Sequence, residues 1–212
     1  MQERAARTRR VLVTAAAREF DLNGYAGSSL ARITRSAGIS MGALTFHFPN
    51  KEELAAVVRQ EGHAATSAAV RQVLARREPP VQTVVSLTLA LAALMEREDV
   101  VRAAARLSRE QPGAAPDWTS AWLPVVRERL HAGRGAAEAV SGCTALTALA
   151  AHLVRGVESD LRAGAGRQGQ PDGRPVAQLA RIWELVLRGL APRQTALQPP
   201  STGTAPPVTN DA

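Results

Sequence analysis

Apolar residues recur along nearly the whole chain at three- and four-residue intervals, and no stretch alternates convincingly at period two, so helix is the expected state almost throughout. The first helix is predicted over residues 8–23, with Val11, Ala15 and Phe20 on one face, and Gly24 stands where a helix C-cap favours glycine. A short helix over residues 30–37 follows, with Ser29 as its N-cap. Gly38 interrupts the pattern, Ser40 can cap again, and a very short helix is predicted over residues 41–46. Pro49 and Asn50 punctuate, and Lys51 opens a long helix reaching toward Arg77.

Pro79 and Pro80 separate this block from a helix whose apolar residues run nearly all the way round, which suits the middle of a bundle. Its uncharged stretch, residues 81–95, is shorter than the roughly 20 residues a membrane span requires, so no membrane partner is expected. Further helices are predicted over residues 100–110 and after Asp117, where Trp118 and Trp122 stand at i and i+4 on one helix face. A long helix over residues 136–161 carries the stripe Cys143, Leu146, Ala150, Leu153, Val157 and Leu161. A glycine-rich connection, 164–175, precedes a final helix with Val176, Leu179, Trp183, Val186 and Leu190. Five prolines among residues 191–212 predict a disordered tail. The expected fold is all-α.

Composition narrows the setting. Apolar residues make up 45% of the 212, enough for a real core. The lone Cys143 cannot close an internal disulfide, and no Cys/His cluster offers a metal site, so no cofactor is expected and a reducing, cytoplasmic location is. The Arg-rich N-terminus is followed by no uninterrupted apolar run, which argues against a secretion signal. Net charge is +7, and of the 26 basic residues only Lys51 is lysine. Arginine and alanine in such excess along the whole chain read as a GC-rich genome rather than as selection for phosphate binding. Residues 1–60 nevertheless hold nine basic against five acidic groups, the remainder seventeen against fourteen. No GxSxG, HExxH, P-loop or GxGxxG occurs, and no paired carboxylates stand within an apolar stripe, so catalysis is not expected.

Two short helices joined at Ala37-Gly38-Ile39-Ser40 have the proportions of a helix-turn-helix, backed by Ile33, Ile39 and Leu44. The outward side of the second helix carries Met41, Gly42, Thr45 and His47, the place from which a recognition helix reads base edges. Gly24-Tyr25, Ser28-Ser29-Leu30, Ile33, Ala37-Gly38-Ile39-Ser40, Gly42-Ala43-Leu44, Phe46-His47-Phe48, Lys51 and Leu54 together resemble the DNA-binding domain of TetR-type transcriptional regulators, over about residues 8–55. The resemblance implies a homodimer with an N-terminal helix-turn-helix reader (1–55) and a C-terminal effector-binding and dimerisation bundle (56–190), bound to a palindromic double-stranded operator. It assigns Ser29 and Arg32 to phosphate or groove-edge contacts, and Ser40, Met41, Gly42 and Thr45 to the recognition segment. Lys51 falls at a helix start where it and the free N–H groups can hold a phosphate. His47 reads as a phosphate contact, against a plainer role bridging helices; Phe46 and Phe48 are expected to pack the domain.

Two positions depart from the family pattern. Thr45 replaces a customary tyrosine whose phenol reaches a phosphate, and Met41 stands where relatives often carry lysine or another polar residue. Arg4, Arg7, Arg9 and Arg10 form a basic arm before the first helix, read either as a frayed terminus or as a contact to phosphates or the minor groove.

A narrower resemblance, in Gly24-Tyr25, Gly42-Ala43-Leu44, Phe46-His47-Phe48 and Trp118, is to the γ-butyrolactone-receptor branch of actinomycetes, which controls antibiotic production and development. It implies a repressor released by a γ-butyrolactone-like signal or an antibiotic, with Trp118 lining the pocket; core packing is the plainer role for both tryptophans. Thr144 and Thr147 are candidate polar groups there, unless their hydroxyls simply bond the preceding turn. The alternative is a pseudo-receptor that sequesters ligand with weakened operator binding.

Overall fold

The computed structural model describes residues 2–132, 138–164 and 174–190. Among these there are nine α-helices, one 3₁₀ turn and no strand: α1 (Gln2–Gly27), α2 (Leu30–Ala37), α3 (Met41–His47), α4 (Lys51–Leu74), α5 (Pro80–Arg97), α6 (Asp99–Glu110), the 3₁₀ turn Trp118–Ala121, α7 (Leu123–His131), α8 (Glu138–Gly164) and α9 (Pro175–Leu190). The expected tail, 191–212, and most of the glycine-rich connection lie outside the described residues.

Helix α1 begins six residues before the predicted start, so Arg4, Arg7, Arg9 and Arg10 are a helical extension and not an arm preceding the first helix. With only Glu3 acidic in the first turn, residues 2–10 gain little from the helix dipole and continue the helix by propensity, being rich in Ala and Arg. The regular helix breaks at Gly24 (φ 70°, ψ −179°), a conformation an L side chain resists, which turns the chain into Tyr25–Ser28 ahead of α2.

Two cores divide the apolar residues. One gathers Leu12, Phe20, Ile33, Leu44, Phe48, Leu54 and Val58 from α1–α4 and is closed by Ala103 and Leu107 of α6. The other is built around α5, with Leu87, Leu91 and Met95 buried against Val70, Val101, Trp118, Trp122, Leu130, Val154, Leu179 and Trp183. Burying α5 among so many neighbours accounts for its apolar character on every face. Helix α6 belongs to both cores, because Val101, Ala104 and Ala105 face the second. Its backbone lies so close to α4 that a Cβ on Gly62 would collide with Ala104 Cβ and stand 2.6 Å from the Val100 carbonyl oxygen.

Candidate functional site

The helix-turn-helix is set by three caps. Ser29 Oγ accepts from the Arg32 amide at 3.2 Å, and Ser40 Oγ accepts from the Ala43 amide at 3.3 Å. Gly38 adopts the left-handed region (φ 65°), with its amide on Arg35 O and the Ile39 amide on Thr34 O at 3.1 Å. These bonds satisfy the orphan groups at the facing helix ends and fix the turn. Both serines accept through oxygen, which leaves each hydroxyl proton available to a phosphate.

Helix α3 presents Met41 (43% exposed), Gly42 and Thr45 to solvent while Leu44 is fully buried beneath them. A Cβ at Gly42 would meet nothing within 4 Å, so no internal packing requires glycine there. Thr45 Oγ1 donates back to the carbonyls of Met41 and Gly42, each at 3.1 Å, so its proton is spent within the helix. Phe46 corrects the sequence reading: it is 81% exposed and does not pack the domain, whereas Phe48 is buried. Two residues subtend about 200° on a helix, so with Leu44 on the buried face Phe46 points away from it, and Phe48 turns inward only beyond the helix end. His47 is half-buried between these rings, with ring centroids 5.2 Å from Phe46 and 6.4 Å from Phe48.

Two predicted phosphate ligands are engaged inside the protein. Arg32 pairs with Glu19 at 2.6 Å and also donates to the Gly27 carbonyl. Lys51 donates to the carbonyls of Tyr25 (2.9 Å) and Ser28 (3.3 Å), with its ammonium 4.2 Å from the Tyr25 ring centroid. In the helical extension, Arg9 lies 5.3 Å over the Phe48 ring, which sets the extension beside the end of α3.

Behind the reader, α6 carries a chain of ionic contacts that no short motif announced. Arg102 bonds Asp21 at 2.7 Å, and Arg106 bonds the Asp21 carbonyl and Glu110, each at 2.6 Å. Glu110 accepts the Tyr25 amide at 2.7 Å. Burial pushes the Asp21 carboxyl above its ordinary value despite Arg102. Burial also raises Glu110, but the bonds from Arg106 and Tyr25 outweigh it and hold the group low. Arg59, only 3% exposed, bonds Gln111 (2.8 Å) and Glu52 (2.5 Å), and the bond to Arg59 is the main reason Glu52 titrates low. On its other side α6 meets the tryptophans, Ser108 accepting the Trp118 amide at 2.8 Å, and reaches α8 through Arg109, which bonds buried Glu158 at 2.6 and 2.7 Å. Sequence reading missed the contacts that tie α6 to α1, α4 and α8 because their partners lie 49 to 85 positions apart in the chain.

The tryptophan pair is also corrected. Trp118 and Trp122 do not share an α-helix: a 3₁₀ turn capped by Asp117 carries the first, and the second caps the turn. Both are buried, with ring centroids 5.7 Å apart. Trp118 Nε1 donates to Thr66 at 2.7 Å, whereas Trp122 Nε1 is buried without an acceptor. Thr147 Oγ1 bonds the Cys143 carbonyl at 2.8 Å, the preceding-turn role, and Thr144 is exposed. A groove of about 100 Å³ runs between α8 and α9, lined among others by His152, Val157, Asp160, Leu179 and Ile182. No described helix is long and apolar enough to cross a membrane.

The described residues thus form a helix-turn-helix seated on a larger helical bundle, the architecture of the helix-turn-helix DNA readers. Residues 12–58 match the model of the bacterial regulatory proteins, tetR family. The family match is confined to this domain, and beyond it the chain is similar to γ-butyrolactone receptors. It is 30% identical over 135 residues to the A-factor receptor protein of Streptomyces griseus, a match covering 63% of this chain and 46% of that protein, so it spans about half the relative's length. A solved γ-butyrolactone receptor (ArpA-like protein) shares 25% identity at a TM-score of 0.66, over 88% of both chains. CprB from Streptomyces coelicolor, solved in complex with its biological operator sequence, shares 25% identity at a TM-score of 0.68, over 87% of this chain and 89% of that one.

Proposed function

We propose that this chain is a ligand-responsive repressor of secondary-metabolism or developmental genes, working in the cytoplasm as a homodimer on a palindromic operator. The reader comprises residues 1–55, and residues 56–190 bind effector and dimerise. Two α3 helices would enter successive major-groove faces about 34 Å apart, or at a multiple of that spacing. Met41, Gly42 and Thr45 would face bases, with Ser29, Ser40 and His47 on phosphates. The α8/α9 groove and Leu185, 67% exposed on α9, support a two-fold contact between copies.

The observation that carries the switch is α6, hydrogen-bonded at once to the reader bend through Glu110 and to the tryptophan turn through Ser108. A ligand among the tryptophans that prefers one setting of α6 would bias the reader spacing by its differential affinity for the two states. The unpartnered Trp122 indole suits an effector with a carbonyl oxygen, such as a γ-butyrolactone or an antibiotic, because an apolar pocket orients its ligand through a few polar groups. Trp118, which the sequence resemblance gave as lining the pocket, has its indole N–H on Thr66, so the orienting bond would come from Trp122.

The inward bond of Thr45 and the apolar Met41 favour one second reading, a pseudo-receptor that holds ligand but grips its operator weakly. One experiment separates the two: genomic fragments are selected with the purified protein, then challenged with γ-butyrolactones and culture extracts. A repressor retains discrete fragments and releases them on challenge. A pseudo-receptor retains none, yet its tryptophan fluorescence responds to the same ligands.

A further inference from the structure

The chain uses arginine 25 times and lysine once, and the lysine has three close partners at the α1–α2 bend. Lys51 Nζ approaches the Tyr25 carbonyl (2.9 Å), the Ser28 carbonyl (3.3 Å) and the face of the Tyr25 ring (centroid 4.2 Å). An ammonium directs three donors tetrahedrally and so satisfies two carbonyls while turning its remaining face to the ring. A guanidinium is larger and directs its donors in one plane, so it does not reproduce this arrangement. The partners are themselves held: Tyr25 O also accepts from Ser28 Oγ at 2.8 Å, the Tyr25 ring stacks on buried Phe20, and the Tyr25 amide is bonded to Glu110 of α6. The segment so fastened, residues 25–28, runs directly into Ser29, the N-cap of α2.

We infer that Lys51 is a positioning residue that fastens the α1–α2 bend to the start of α4 and thereby sets α2 and α3 in register for DNA, rather than a phosphate ligand. Its two carbonyl bonds and the ring occupy the ammonium that a phosphate would otherwise take. The same bend receives α6 through Glu110, so Lys51 holds the reader side of the junction through which a ligand signal would pass. This inference rests on the operator-binding reading for its DNA consequence, but not for its consequence in the free protein.

The test compares Lys51→Met and Lys51→Arg with the parent chain, using a selected operator fragment at several salt concentrations and amide exchange of residues 25–29 without DNA. A phosphate ligand contributes about 0.9 to the slope of log affinity against log salt, and arginine can replace it. A fastening lysine contributes nothing to that slope, and arginine cannot replace it. The expected result is faster exchange at residues 25–29 in both variants, with affinity about tenfold lower in both and the salt slope unchanged, as loss of charge-assisted bonds that orient the reader implies. Normal exchange in Lys51→Met, or a slope lower by about one with full affinity in Lys51→Arg, overturns the inference. Absence of any operator for the parent chain would instead defeat the functional proposal, and the exchange measurement would still decide the role of Lys51.

Discussion

Trp122 buries an indole N–H that bonds nothing among the described residues, a free-energy cost to the folded chain that a ligand acceptor, as proposed, would relieve. Trp122→Phe removes the donor and keeps most of the packing. It should leave stability within about 1 kcal/mol in urea unfolding, or raise it, since deleting an unsatisfied group is nearly neutral. Ligand affinity followed by Trp118 and Trp183 fluorescence should fall about tenfold, the weight of one buried hydrogen bond. Gly24 is constrained differently. At φ 70° an added Cβ would stand 2.5 Å from Glu110 Oε1 and 2.8 Å from Arg106 Nη2, so Gly24→Ala strains the backbone and breaks the ionic contact together. A loss of about 1–3 kcal/mol is expected by denaturant titration.

At the level of elements, the helices were legible because their apolar spacing and caps are local. Ser29, Gly38, Ser40 and Asn50 each stop or start a helix where the sequence places them, and each makes the bond its residue type suggests. The start of α1 and the 3₁₀ turn were not legible. Ala- and Arg-rich residues 2–10 lack the apolar stripe that marks a helix, and an i, i+4 tryptophan pair is compatible with either helical form. Phe46 escaped for a related reason, since its exposure depends on which face of α3 the core buries. The importance of α6 was invisible too, because its ionic partners belong to distant segments. The close α4–α6 approach makes Gly62→Ala a test of that packing: overfilling should cost about 1–3 kcal/mol by thermal or urea unfolding. The contact also has an acid signature. Glu52, held low chiefly by Arg59, and Glu110, held low by Arg106 and Tyr25 against its burial, stabilise the fold when ionised. Their contribution is full above their ordinary value near 4.5 and is lost as pH falls through the lower folded values. Asp21 runs oppositely, because burial raises it and protonation relieves its penalty. Melting temperature should therefore drop below about pH 4.5, and drop less steeply in Glu52→Gln, when measured by circular dichroism across pH.

Across the whole molecule, the charge asymmetry and the fold point the same way. The excess of positive charge concentrates in residues 1–60, and the helical extension carries Arg4, Arg7 and Arg10, which have no ion pair among the described residues. On the proposed reading such cations would raise affinity for any DNA, and discrimination would come from the outward face of α3. The decisive measurement is fluorescence anisotropy of a labelled, selected operator fragment against an equal length of random DNA, each with and without a γ-butyrolactone. The account predicts at least about 10³-fold preference for the operator, as specific readers display, lost by tenfold or more when the lactone or a releasing extract is added. Equal affinity for operator and random DNA, or operator affinity untouched by every such effector, would contradict it.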